Sequence, residues 1–337
     1  MKRMGNIIPR VAEYGNFMGA FYKAAKGKRS SPEVRSFTRD LSANVSSLVR
    51  ETLSGDVAVG RFHCFVIRDP KQRVIHAASF RERVLHHAIM NVTGEWFERG
   101  AIEHSYACRR GKGNRAALSH ALKQTTTTRC FLKLDIRRYF DSIDHEVLRQ
   151  RLRRLFKDDR FLQLLDRIVG AFETAPGCGL PIGTLTSQYF ANTYLDPLDR
   201  FVIERLKCRR YARFMDDFIL WSDDAGALMS WRDELSAWLS ATLKLSLKEH
   251  PLPGRSSDGL PFLGYRLKPG RVLLSRPSRQ RFLRRLNDYE AAFAEGLLDE
   301  QGLQRRVDAL LSFTSHAPCV SWRRTALASR KVDSVLE

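Results

Sequence analysis

Residues Tyr211–Ser222, YARFMDDFILWS, decide how the rest of the chain is read. Tyr211–Phe214 and Phe218–Trp221 are short runs rich in β-branched and aromatic residues, so both are expected as strands. The adjacent carboxylates Asp216 and Asp217 then fall at the tip of a hairpin. One acid there needs no explanation, because Asp tolerates turn geometry. Two acids flanked by Met215 and Phe218 lose water and repel each other unless a cation joins them. Mg²⁺ is the hard cation that takes oxygen ligands and keeps open positions for substrate phosphates.

A third carboxylate has a matching setting. Phe131-Leu132-Lys133-Leu134-Asp135-Ile136 is another apolar strand with Asp135 at its end. Strands side by side bring Asp135 to Asp216 and Asp217, and three carboxylates can hold two divalent ions about 3.5–4 Å apart. With these motifs in hand, the sequence resembles reverse transcriptases, whose signatures are a strand ending in the first catalytic Asp and a YxDD hairpin. Here the hairpin reads FMDD, with Phe214 in place of the usual Tyr.

Bulk composition points the same way. The 337 residues are 43% hydrophobic, enough for two or three packed lobes, and no run of eighteen apolar residues exists. The basic N-terminus MKRMGNIIPR lacks the apolar core of a signal peptide, so cytoplasmic residence is expected. Lys and Arg number 57 against 37 acids, a net charge of +20. The excess clusters in Arg109–Arg115, Arg137-Arg138, Arg149–Arg154, Arg205–Arg213 and Arg276–Arg285, which suits a polyanion threading through the molecule. The six cysteines show no CxxC spacing, so reduced thiols are expected and zinc is not. His86-His87 are adjacent and point apart on a helix, which makes them packing groups or RNA contacts.

Taken in order, residues 1–60 form a helical segment in which Asp40 is placed to cap a helix carrying Leu41, Val45, Leu48 and Thr52. Strands Phe62–Ile67 and Val74-Ile75 flank a turn at Asp69-Pro70 with Arg68, Lys71 and Arg73. The bland reading is a surface hairpin with solvated charges. The resemblance assigns it to the fingers, where these basic groups meet the incoming deoxynucleoside triphosphate, Arg73 foremost. A helix follows over Phe80–Met90, with Arg81 and Arg83 toward template. The loop Tyr106–Arg115 holds two glycines with Arg109, Arg110, Lys112 and Arg115, and it suits RNA phosphates better than a Walker loop. Its Tyr-Ala-x-Arg-x-Gly-Lys-Gly form matches the resembled enzymes.

After Asp135 comes Ile136-Arg137-Arg138-Tyr139-Phe140. The resemblance makes Phe140 the sugar gate and puts Ile136 at the metal site. Arg138 and Tyr139 then stand beside the nucleotide. Asp144 caps a helix with Val147, Leu148, Leu152 and Leu155 inward. Gly179–Gln188 is a turn leading into a helix. Most reverse transcriptases carry LPQG there, whereas Ile182 stands in the Gln position and Ser187-Gln188 replaces Ser-Pro. This form resembles the enzymes of diversity-generating retroelements, a group II intron-like bacterial and phage type. They copy template RNA into cDNA mutated at adenines. Phe214, Met215 and the strand Pro261–Tyr265 with Gly264 resemble the primer-end contacts and primer grip. Lys248 is a candidate proton donor to pyrophosphate.

The resemblance implies an α+β right-hand polymerase: an N-terminal helical segment (1–60), fingers (61–130), a palm (131–270, with a helical insertion near 145–178) and a thumb (271–337). It also implies two Mg²⁺ ions, with Mn²⁺ as a substitute, held by Asp135, Asp216 and Asp217. The partners it implies are template RNA, the RNA–cDNA duplex, deoxynucleotides, and a small basic accessory protein or structured non-coding RNA, with no membrane. An antiphage-defence reverse transcriptase making cDNA from a non-coding RNA is the alternative. A non-catalytic RNA-binding scaffold is the remote one. No ribonuclease H or endonuclease domain is expected after the thumb.

Overall fold

The structure, a computed structural model, describes residues 2–68, 71–314, 317 and 319–328, the side chains of 326–328 excepted. The Asp69-Pro70 turn and residues 329–337, the end of the expected thumb, lie outside the described residues.

Four helices open the chain: α1 (Ile7–Val11), α2 (Tyr14–Ala25), α3 (Pro32–Arg39) and α4 (Leu41–Ser54). They pack on α5 (Phe80–Gly100), which runs ten residues past the expected Met90. An aromatic cluster ties them, with Phe37 and Phe80 ring centroids 5.2 Å apart and Phe21 within 6.0 Å of both. Two expectations are corrected here. Arg81 pairs with Glu51 at 2.6 Å and Arg83 with Glu33 at 2.7 Å, so both are engaged in fastening α5 to the N-terminal helices, a role the sequence reading did not give them. Asp40 sits at the N-cap of α4 but its side chain makes no cap bond, because its backbone has left the extended region.

Between α4 and α5 lies the hairpin β1 (Phe62–Ile67) and β2 (Arg73–Ala78). The His76 amide donates to the Ile182 carbonyl at 2.8 Å, which fastens β2 to the loop before α9. Gly183 allows that approach. Its φ is +124°, and a Cβ there would meet the Ile75 side chain at 2.7 Å.

α6 (Asn114–Thr127) leads into β3 (Cys130–Asp135). Helices α7 (His145–Leu155) and α8 (Asp159–Gly170) follow, and Asp144 caps α7 by accepting from the Val147 amide at 2.9 Å. Then come α9 (Leu185–Tyr194), α10 (Asp196–Arg200), β4 (Tyr211–Phe214), β5 (Asp217–Ser222), α11 (Ala225–Leu243) and β6 (Gly254–Arg255). The strands order β4-β5-β3-β6, all antiparallel. Period-two alternation buries both faces. Leu132, Leu134, Phe218 and Leu220 join the core shared with α7, α9 and α11. Phe131, Ala212, Ile219 and Trp221 join a second core with α6.

A second sheet, β7 (Leu260–Phe262), β8 (Tyr265–Lys268) and β9 (Arg271–Leu274), follows and continues across residue 270. Pro261–Tyr265 was expected as one strand. The structure folds it into a hairpin, because Leu263 and Gly264 both take positive φ (48° and 85°), the pairing a tight two-residue turn requires. Helices α12 (Arg276–Ala294) and α13 (Glu300–Thr314) pack through Phe282, Leu286 and Leu310, and α14 (Val320–Ala328) follows. Among the described residues, no helix is long and apolar enough to cross a membrane, and all six cysteines are unpaired.

Candidate active site

Strand register assembles the acids. Asp135 and Asp217 are cross-strand partners, and Asp217 also faces Phe214 across the hairpin. Met215 makes the turn in the left-handed region, with φ 58°. That conformation puts Asp216 at the tip, close enough to Asp135 to feel its charge.

The electrostatics are those of carboxylates held in scarce water. Burial, and then the negative charge of Asp135, push the Asp216 carboxyl above its ordinary range. Burial raises Asp217 to about 6 against the pull of Lys133, whose Nζ lies 3.0 Å from Asp217 Oδ2. Asp217 Oδ1 is buried with no hydrogen-bond partner. Among the described residues, no three His, Cys, Asp or Glu side chains close on one point as a ready-made metal cluster. A hard divalent cation still fits the donors present. It would find carboxylate oxygens already crowded together, one of them orphaned, and would relieve their repulsion.

The acids open on a cleft of about 540 Å³. Most of the expected nucleotide residues line it. Lys71 and Arg73 come from the β1–β2 hairpin, Arg138, Tyr139 and Phe140 from the turn after β3, and Ile182 and Gln188 from the loop and helix opposite. Ile136, Phe214, Met215 and Lys248 complete the wall. Three of them are anchored by hydrogen bonds. The Lys248 amide donates to the Asp135 carbonyl at 2.9 Å. The buried Tyr139 hydroxyl donates to the Ala191 carbonyl. Phe140 is held through its carbonyl, which accepts from the Leu180 amide at 2.8 Å.

Other expected residues lie elsewhere. Arg68 is exposed and is not part of the cleft wall. Gly264 and Tyr265 line a neighbouring groove. Of the loop cations, Arg109 pairs with Glu98 at 2.9 Å and donates to the carbonyls of Ile102 and Ser105, so it ties the loop together. Lys112 reaches the Glu103 carbonyl and lies over the Tyr106 ring, while Arg110 and Arg115 remain exposed.

Arg213 is the largest correction. Counted with a basic cluster for a polyanion, it is fully buried. Its guanidinium bridges Asp199 at 2.6 and 2.7 Å and donates to Asn192 Oδ1 at 3.1 Å. It also reaches the Met215 carbonyl at 3.2 Å, just before Asp216. Burial raises Asp196, 3.9 Å from Arg213, to about 7. Strand alternation held a signal for this. Arg213 shares strand parity with Tyr211, and no position of β4 is exposed.

The profile described as reverse transcriptase (RNA-dependent DNA polymerase) matches residues 68–267, more than half of the 337-residue chain. The chain belongs to the reverse transcriptase family. Its α+β architecture, helices with antiparallel sheets, is that family's right-hand fold. This reverse transcriptase is 26% identical over 243 residues to protein YkfC of Escherichia coli K12, covering 58% of this chain and 63% of that protein. It is 33% identical over 109 residues to a 91 kDa protein in the cob intron of Schizosaccharomyces pombe, covering 31% of this chain and 13% of that one. A telomerase structure from Candida tropicalis, in complex with a TWJ fragment of telomeric RNA, aligns with TM-score 0.49 and 13% identity, over 87% of this chain and 58% of that chain. The chain thus spans less than two thirds of these relatives' own lengths.

Proposed function

We propose that this reverse transcriptase domain is an active RNA-directed DNA polymerase that extends a primer by one deoxynucleotide at a time. The single observation that carries the reading is that Asp135, Asp216 and Asp217 line one cleft together with Lys71, Arg73 and Phe140. Divalent ions, Mg²⁺ or Mn²⁺, would supply charge neutralisation at the phosphoryl group in transfer, held by the three carboxylates. Lys71 and Arg73 neutralise the triphosphate from the side facing Asp216. Phe140 packs where a ribose 2′-hydroxyl would lie, and Lys248 stands at the wall as a candidate donor to the leaving pyrophosphate. In this reading residues 1–60, 61–130, 131–270 and 271–337 act as N-terminal segment, fingers, palm and thumb. Template RNA and its cDNA duplex are the partners. The test is extension of a DNA primer on an RNA template with deoxy- and ribonucleotides in parallel. Strong preference for deoxynucleotides is expected, and extension with neither would leave a binding scaffold.

The finer reading is a diversity-generating enzyme, favoured by one residue. Ile182 offers the nascent pair only shape and dispersion, where Gln would offer a hydrogen bond of about 0.5–1.5 kcal/mol, roughly threefold to tenfold in discrimination. Misincorporation concentrated at template adenines and lowered by Ile182→Gln is expected in sequenced cDNA. Absence of adenine bias in the wild type would move the antiphage-defence reading ahead.

A further inference from the structure

Lys133 has no part in the proposed chemistry, yet it touches it. It stands two residues before Asp135 on β3, so the two side chains leave the same face of the sheet. Its ammonium lies 3.0 Å from Oδ2 of Asp217, which stands two residues along β5 from the cross-strand partner Ile219 and is therefore diagonal to Lys133. It is the charge that tempers the Asp217 carboxylate in the ligand-free protein.

The same lysine lines a second space. A groove of about 750 Å³ runs from Lys133 past the Leu263-Gly264 turn to the start of α12. Its lining carries Arg266, Arg276 and Arg279 with Lys133 and no acidic side chain. Arg279 Nε is buried there without a hydrogen-bond partner. Lys133 is therefore the one lining cation of this groove that also contacts a proposed metal-binding acid. A lysine has three donors on a flexible four-carbon stem, so it can change partners by a small swing.

Resting on the polymerase reading above, we propose that Lys133 is a positioning residue that holds Asp217 as a counter-ion until a primer-strand phosphate enters the groove. It then transfers its ion pair to that phosphate and leaves Asp217 to the divalent cation. Primer binding and metal binding are coupled through one ammonium, by exchange of ionic partners and with no bond made or broken.

The test uses the full chain with Lys133→Gln, Lys133→Arg and Asp217→Asn. Lys133 is part-exposed, so its replacement leaves the core packing in place. Mn²⁺ is titrated into RNA-free protein by electron paramagnetic resonance. A primer–template duplex of DNA on RNA is titrated separately in chelator by fluorescence anisotropy across a salt series. Lys133→Gln is expected to tighten Mn²⁺ on the order of fivefold, by removing the competing ammonium. The same variant is expected to weaken duplex binding and lower the slope of log K against log salt by about 0.7–0.9, one phosphate contact. Lys133→Arg, which keeps the charge, should restore the slope. A purely structural lysine would not move metal and duplex affinity in opposite directions. Mn²⁺ affinity unchanged or weakened in Lys133→Gln, or an unchanged salt slope, overturns the proposal. If Asp217→Asn leaves Mn²⁺ binding intact, the metal reading of the acids has failed. If Asp217→Asn weakens Mn²⁺ but Lys133→Gln does not tighten it, only the exchange has failed.

Discussion

Removing the Asp199 carboxylate should cost more than any exposed change in the active site. Asp199 is fully buried and accepts from Arg213 at 2.6 and 2.7 Å and from the Tyr211 hydroxyl at 2.7 Å. In Asp199→Ala, Arg213 keeps only Asn192, the Met215 carbonyl and a long contact to Asp196 at 3.9 Å. A buried charge stripped of its partner costs about 3–5 kcal/mol. Unfolding entropy of about 2.1 cal/mol/K per residue gives roughly 0.7 kcal/mol/K for a chain of this length, so the thermal midpoint should fall by about 4–7 °C. Differential scanning calorimetry measures it. Replacing both partners, Asp199→Leu with Arg213→Met, should recover part of the loss, because the guanidinium leaves with its main partner while Asp196, already raised by burial, takes up a proton. A midpoint within about 1 °C of wild type in Asp199→Ala would refute the reasoning. Polymerase activity should fall further than stability requires, because Arg213 also holds the carbonyl that precedes Asp216.

Two further outcomes are expected. The Asp217 carboxyl, raised to about 6, binds a proton more tightly in the folded chain than in the unfolded one. The stability it contributes to metal-free protein is therefore full below about pH 4 and lost as pH rises through about 6. Melting scans from pH 4 to 7 in chelator should show it for wild type and not for Asp217→Asn, while Mn²⁺ affinity weakens below about pH 6. Phe140→Ala should raise ribonucleotide use relative to deoxynucleotide use by roughly tenfold or more, by opening the space at the sugar. An unchanged ratio with activity retained makes Phe140 a packing residue.

Much of the site is legible in the sequence because strand registers are short-range and periodic. The DD pair at a hairpin tip and an Asp ending an apolar strand specify where three acids meet once the strands pair, and the register is Asp135 to Asp217. The loop before α9 and the turn after β3 carry their own Gly, Pro and capping signals. What the sequence hides is partner choice. Arg81, Arg83, Arg109 and Arg213 look like Arg110 in composition, yet four of these five are neutralised by acids from distant positions: Glu51, Glu33, Glu98 and Asp199. Charge counting therefore overstates the surface offered to RNA. The Lys133–Asp217 pair was equally hidden, since it depends on a diagonal across two strands. The Leu263-Gly264 turn was masked by Leu, a residue seldom found at positive φ.

The central claim is that Asp135, Asp216 and Asp217 together carry nucleotide transfer. Single-turnover primer extension on an RNA template tests it most directly, with wild type beside Asp135→Asn and Asp216→Asn and with circular dichroism as the fold control. The account predicts native spectra, primer–template binding retained, and extension lost by three orders of magnitude or more, about 4 kcal/mol of transition-state stabilisation. Either variant extending the primer at near wild-type rate would contradict it.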